Sequence, residues 1–296
     1  MTHFIEAIIN GISIGFIYGL IALGFVVIYK ATEVINFAQG SLLLLGAYVI
    51  YRAHGSLGFV GGVLVGVAVA AVGAAIIEFV LVRRARHADA TALAILTIGI
   101  DIALSTDLSR RIGFDFLSFG DPWGLDKVSF GPFTVPQARI AAMIVSVVLL
   151  VLFFIAFKYT NWGIATRATA EDHEAAALMG IRRGRVSTVS WLLAGALATI
   201  AGLFLGLAPS PTLDRSANLL ALNAFPAAVV GGLDSTGGAV VGGLLIGVVQ
   251  QLADTYPSQL DFLGSPLHDM SAYLVMLIVL LVRPAGLFGT RTVTRV

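Results

Sequence analysis

"AIINGISIGFIYGLIALGFVVIY", residues 7–29, runs on without one charged side chain. A helix crossing the hydrocarbon core of a bilayer needs about 20 predominantly apolar residues. Residues 55–77, 186–213 and 235–253 are equally free of charge. Hydrophobic residues make up 58% of the chain and charged ones 12%, against roughly 45–50% and 25% in soluble domains. Four such runs in 296 residues exceed what one soluble core could enclose. The expected fold class is therefore all-α, a polytopic transmembrane helix bundle forming a single membrane domain over 1–296. "MTHF" lacks the basic region of a cleaved signal, so the first helix is expected to be retained.

Weaker apolar runs cover 34–51, 90–108, 140–157, 216–233 and 267–282. Backbone inside a bilayer must satisfy itself, so these too are helices or pieces of helices. No alternation of the outer-membrane barrel kind is present. Lys and Arg in the connections set the orientation. "RRARHAD" (83–89), segment 158–185 and the tail "RPAGLFGTRTVTRV" are basic, whereas 254–269 holds Asp254, Asp261 and Asp269 with no Lys or Arg. This predicts about 8–9 spans, nine if 216–233 crosses fully, with the N-terminus outside and the C-terminus cytoplasmic. Gly11, Gly15 and Gly19 stand four apart, as do Gly62 and Gly66, Gly238 and Gly242, and Gly243 and Gly247. Such spacing suits close approach of membrane helices.

Enzymatic readings fail. "GISIG" (11–15) matches a nucleophile-elbow pattern around Ser13, but that elbow needs a preceding strand and a histidine partner. The five histidines have no metal-ligand spacing, and cysteine is absent. None of the lysines follows a glycine, so no phosphate-binding loop exists. No catalytic residue, metal ligand or cofactor is assigned to this chain.

One polar island remains, "TRATAEDHEAAALMGIRRGR" (166–185). Thr169, three residues before Asp172, reads as a helix N-cap with an acidic partner. Glu171, Asp172 and Glu174 then occupy the first turn, Ala175 and Ala176 continue it, and Gly180 ends it in the left-handed conformation. Arg182, Arg183 and Arg185 follow at the end that favours positive charge. A short helix of about ten residues in a cytoplasmic loop is expected, with Leu178 and Met179 as its apolar contacts. It is either a connector lying on the membrane or a docking helix for a cytoplasmic partner.

"EAAALMG" (174–180) matches the E-A-A-x-x-x-G core of the coupling loop in ABC importer permeases. "GIATRATAEDHEAAALMGIRRGRV" resembles that loop in the branched-chain amino acid permeases. "NGISIGFIYGLIALGFVVIYK", "VINFAQGSLLLLGAY", "AAVVGGLDSTGGAVVGGLLIGVV" and the closing "RPAGLFG" resemble further blocks of the same family, in order. The likeness is to the shorter of its two paired permease types, and only 107–135 lacks a recognisable motif. It implies an ABC importer permease in a bacterial plasma membrane, with a cytoplasmic coupling loop at about 158–185. It also implies a second permease completing a heterodimer, two ATP-binding subunits carrying the ATP, and an extracytoplasmic substrate-binding protein. The coupling residues would be Glu171, Asp172, Glu174, Ala175, Ala176, Leu178, Met179 and Gly180.

"EVINFAQGSLLLLGAY" (33–48) places amides, a glycine and a hydroxyl at the start of an apolar helix. Transporter helices broken near the midplane expose backbone groups to a cavity, and the stretch from Pro226 to Gly238 is a counterpart. Asn36, Gln39, Gly40 and Ser41 would line a path for an amino acid, with Asn223, Asp234, Ser235 and Thr236 as further candidates. Interhelical hydrogen bonding is the other reading of Asn36 and Gln39; a turn and helix cap is that of 234–236. Glu78 lies within reach of Arg83, and Asp101 could pair with a basic residue on a neighbouring helix or of the partner subunit. The alternatives are a self-sufficient secondary carrier or channel for a small polar solute such as urea or an amide, and a purely structural membrane subunit.

Overall fold

The computed structural model describes residues 2–85, 88–114, 116–124, 126–130, 133–207, 214, 217–256 and 267–290. Six of its helices are long and apolar enough to cross a membrane: His3–Thr32, Gln39–Val82, Ala90–Ile112, Gln137–Tyr159, Arg183–Leu205 and Thr236–Thr255. In chain order we label α1 (Thr2–Thr32), α2 (Gln39–Ile77), α3 (Ala90–Ile112), β1 (Lys127–Phe130), β2 (Phe133–Pro136), α4 (Gln137–Tyr159), α5 (Asn161–Glu171) and α6 (His173–Leu178). There follow α7 (Arg183–Leu205), α8 (Ala217–Asn223), α9 (Phe225–Gly231), α10 (Thr236–Thr255) and α11 (Leu267–Val282).

The second long element is two antiparallel legs. Gly58 has φ 71° and ψ 176°, a conformation that glycine reaches without a Cβ clash. A Cβ built on Gly66 would lie 2.9 Å from the Gly46 carbonyl oxygen, yet 20 residues of straight helix would separate them by about 30 Å. The separate runs expected at 34–51 and 55–77 are thus the legs of one hairpin. The outer leg ends in a π-helical turn, Glu78–Val82. With its second leg and α11, the bundle agrees with the expected polytopic fold.

Segment 216–233 is not one unbroken helix. It forms α8 and α9, seven residues each, about 10 Å apiece at 1.5 Å per residue. Pro226 stands in the first turn of α9, where its missing N–H costs nothing; in an unbroken helix it would remove a hydrogen bond. The end of 186–213 also differs: α7 stops at Leu205, with Gly206 as its C-cap, and 208–213 lie outside the described residues.

The most enclosed of the six long helices is α1, and its partner along the glycine face is α10. A Cβ on Gly15 would sit 2.7 Å from Leu244 Cα, and one on Gly243 would sit 2.5 Å from Gly19 N. These backbones touch because lipid tails offer leucine no advantage over another helix, leaving close van der Waals packing to hold the pair. The other face of α10 meets α9, with the Gly231 carbonyl against Gly238. On the opposite side, α7 packs into the α2 hairpin: a Cβ on Gly195 would lie 2.6 Å from the Ala70 carbonyl oxygen.

The connection between α3 and α4 closes one end. Leu117 and Phe119 are fully buried, and Trp123 packs edge-on against Phe59. A short antiparallel pair follows, Lys127 opposite Pro136 and Phe130 opposite Phe133. The opposite end carries α5 and α6. We refer to it as the α6 end.

Gly243→Ala should destabilise the detergent-solubilised protein by about 1–3 kcal/mol, the usual cost of overpacking. Gly99→Ala, where no atom lies within 4 Å, should melt at or slightly above the wild-type temperature. Thermal unfolding of the two variants side by side checks the seam.

Candidate functional site

Side chains of the break and of its neighbours satisfy much of the backbone between α1 and α2. Glu33 adopts a positive φ of 57°, turning the chain out of α1. Ala38 stands at the N-cap of α2 and has no side chain to offer. Asn36 substitutes: its Oδ1 accepts from Ala38 N at 3.1 Å, and its Nδ2 donates to Gln39 Oε1 at 3.2 Å. Gln39 Nε2 in turn donates to the Ala194 carbonyl on α7. The Ser41 hydroxyl donates to the Ala38 carbonyl. Asn36, Gln39 and Ser41 are all fully buried within the chain.

Helix α3 completes the clamp. Phe37 N donates to Thr97 Oγ1 at 3.2 Å, and Ser41 N donates to Asp101 Oδ1 at 3.0 Å. The partner of Asp101 is therefore a backbone N–H at the start of another helix, which acts as an N-cap supplied from outside. Asp101 is the twelfth of 23 residues of α3, so the break lies near mid-depth of that helix. Exposed N–H groups at a helix start carry partial positive charge, to which a carboxylate is suited.

The two interrupted segments meet. A Cβ on Gly40 would collide with the Asn218 carbonyl of α8, and Phe225, at the α8–α9 joint, packs on Phe25 and Phe37. Asn223 is half-buried at the end of α8. The group 234–236 sits elsewhere, at the α6 end. Lys30 Nζ donates to the Asp234 carbonyl at 2.7 Å. The Asp234 carboxylate accepts from the backbone N–H and hydroxyl of Thr290. Ser235 caps α10, accepting from Gly238 N at 3.0 Å, and Thr236 opens that helix. The C-terminal strap is held to α9 as well, through Leu287 N to Val230 O and Phe288 N to Gly231 O.

The polar island folds as two helices. Thr169 is not the N-cap: it lies inside α5, where its hydroxyl donates to the Ala165 carbonyl. Asp172, extended at φ −153° and ψ 109°, takes that role and accepts from Glu174 N and Ala175 N at 2.9 Å each. The shorter acidic side chain reaches both donors, whereas Thr169 is already committed to the previous turn. Hence α6 has six residues rather than about ten, with Glu171 in the last turn of α5. Gly180, at φ 83°, closes it: Ile181 N bonds back to Ala176 O and Gly180 N to Ala177 O, a left-handed termination that favours glycine. Ala176 is buried, while Leu178 and Met179 are 88% and 83% exposed.

Glu78 and Arg83, whose proximity was expected, form a two-pronged ion pair that sequence reasoning did not connect to α7. Among the described residues no group of three or more His, Asp or Glu could hold a metal ion.

The chain matches the family described as "Branched-chain amino acid transport system / permease component" over residues 7–282. It is 30% identical to the high-affinity branched-chain amino acid transport system permease protein LivH of Escherichia coli (strain K12), covering 99% of this chain and 98% of that protein. It is 29% identical to LivH of Salmonella typhimurium over the same shares. The probable branched-chain amino acid transport permease protein LivH of Methanocaldococcus jannaschii is 30% identical, covering 91% of this chain and 88% of its own length.

Asp101→Leu removes the acceptor for Ser41 N and should cost about 1–2 kcal/mol, as loss of a helix cap does. Asp101→Asn keeps an oxygen at that place and should lose less. The order of the two melting temperatures in detergent checks the assignment.

Proposed function

The chain belongs to the family of branched-chain amino acid transport permease components, and from that premise we propose that it forms half the translocation path of an ATP-driven importer for leucine, isoleucine, valine or a related amino acid. It is a multi-pass membrane permease component and not an enzyme. A second permease subunit would complete the pore. Two ATP-binding subunits would sit at the α6 end, and a substrate-binding protein would deliver solute at the other. That arrangement puts the α6 end in the cytoplasm and the N-terminus outside, in a bacterial plasma membrane, as the basic connections favour.

One observation carries the reading: Leu178 and Met179 project from α6 with 88% and 83% of their surface open. Both the start and the stop of this six-residue helix are fixed, by Asp172 and Gly180. A rigid, capped helix that offers two large apolar side chains among Glu174, Arg182 and Arg183 is suited to a protein socket. Closure of the ATP-binding subunits on ATP would then move α6 as a rigid lever between inward- and outward-facing states.

The path itself would run along the junction of the two breaks. Asn36, Gln39, Gly40 and Ser41 stand there beside Asn218 and Phe225, with Asn223 at the edge. Separation of α2 from α8 would expose amides and helix-start N–H groups that fit a carboxylate. Asp234, Ser235 and Thr236 belong to the cytoplasmic mouth on this account, holding the turn between α9 and α10.

Leu178→Glu with Met179→Glu should reduce co-purification of the ATP-binding subunits by an order of magnitude or more, as loss of buried anchors does. ATP-driven uptake should fall with it, while the amount of permease in the membrane stays unchanged. Full uptake by that variant would remove the docking role.

A further inference from the structure

We propose that Glu78, Arg83 and Thr188 form the joint through which movement of α6 reaches the broken helix, so that opening this joint uncouples ATP hydrolysis from transport; this rests on the importer reading above. The π-turn of residues 78–82, closed by Arg83 N to Glu78 O at 2.7 Å, folds Arg83 back over Glu78. Arg83 Nε donates to Glu78 Oε1 at 3.1 Å and Nη2 to Oε2 at 2.8 Å. The same Nη2 lies 2.7 Å from the Gly184 carbonyl and 2.5 Å from Thr188 Oγ1. Thr188 Oγ1 in turn lies 2.8 Å from Glu78 Oε2. The Glu78 side chain is only 2% exposed.

Position gives this cluster its role. Helix α7 begins at Arg183, three residues beyond Gly180, so any displacement of α6 enters the bundle through the first turns of α7. Gly184 and Thr188 are on those turns. Their partner, Arg83, ends the outer leg of the α2 hairpin. The inner leg, which the outer one touches at Gly46 and Gly66, starts at the break that Asn36, Gln39 and Ser41 shape. Apolar and glycine contacts resist separation but have little directional preference, and helices can slide along them. The two-pronged contact of Arg83 with Glu78 lies within the outer leg and holds the guanidinium in one geometry. So oriented, Arg83 Nη2 reaches the Gly184 carbonyl and Thr188 Oγ1, and Thr188 Oγ1 reaches Glu78 Oε2. These directional bonds cross to α7, and slip there would take partners from a buried carboxylate. A Cβ at Gly184 would come within 3.1 Å of Arg83 Cζ, so glycine there leaves the guanidinium its seat.

Thr188→Val removes the hydroxyl and keeps the shape; Thr188→Ser restores the hydroxyl. The complete complex, with the partner permease, ATP-binding subunits and loaded binding protein, is reconstituted in vesicles. Uptake of radiolabelled leucine and phosphate release are measured together. The ratio of solute taken up to ATP hydrolysed should fall roughly two- to thirtyfold in Thr188→Val, the span for residues that carry coupling between sites. Thr188→Ser should keep the wild-type ratio. A purely structural role would lower uptake and hydrolysis in proportion, and an unchanged ratio in Thr188→Val overturns the proposal. An equal fall in Thr188→Ser also overturns it. Where Thr188→Val assembles poorly, Arg83→Lys serves, since lysine keeps the charge but not the two-pronged contact; there too an unchanged ratio refutes the joint. The wild-type complex reports separately: without ATP-dependent uptake by it, the importer reading fails, and this inference with it.

Discussion

A bilayer gives the backbone nothing to bond to, so each departure from regular helix must be satisfied by the chain itself. This constraint explains why the break at 33–38 is surrounded by so many polar side chains in an otherwise apolar protein. Ala38 cannot cap α2, so Asn36 bonds Ala38 N from below and Asp101 bonds Ser41 N from a helix sixty residues away. Thr97 takes Phe37 N. The amides and carboxylate that first looked out of place are the condition for having a broken helix at mid-depth. The same scarcity of driving force between helices in lipid explains the α1–α10 seam, where glycine lets backbones meet and supply the contact that hydrophobicity cannot.

From these two devices follows a molecule with a firm frame and an interrupted centre. One side of the frame is α1 with α9 and α10; the other is α7 clasped in the α2 hairpin. The breaks of both sides come together where Gly40 meets Asn218 and Phe37 meets Phe225. Helix α6 projects from the frame with the side chains of Leu178 and Met179 uncovered in a polar loop. It is attached through Gly180 and Arg182 to the first turn of α7. On the importer reading, α6 is the lever and the junction of the two breaks is where it acts.

Much of this was legible in the residues because the signals were local. Charge-free runs marked the long helices, four-residue glycine spacing marked the seams, and Thr169 to Gly180 announced a capped loop helix, with its stop at Gly180 in the right place. What escaped was tertiary. The runs 34–51 and 55–77 read as separate crossings, divided at Arg52 and His54; only the place of the reversal, Gly58, was not visible. Thr169 and Asp172 are both good caps by type, and only the back-bond of Thr169 to Ala165 decides between them. A carboxylate that accepts from a distant backbone N–H has no sequence signature, so Asp101 had no visible partner. Leu117 and Phe119 are buried by helices distant in sequence, in the one segment without a recognisable motif. For 234–236 the residues offered both a path and a turn with a helix cap, and the hydrogen bonds of Asp234 and Ser235 match the turn and cap at the α6 end.

The most direct test of the whole account is leucine uptake into vesicles that contain this chain and its partner permease, with and without the ATP-binding subunits. The account predicts accumulation only when those subunits and ATP are present on the α6 side, and background uptake otherwise. Rapid equilibration of leucine by the two permeases alone, without nucleotide, would contradict it.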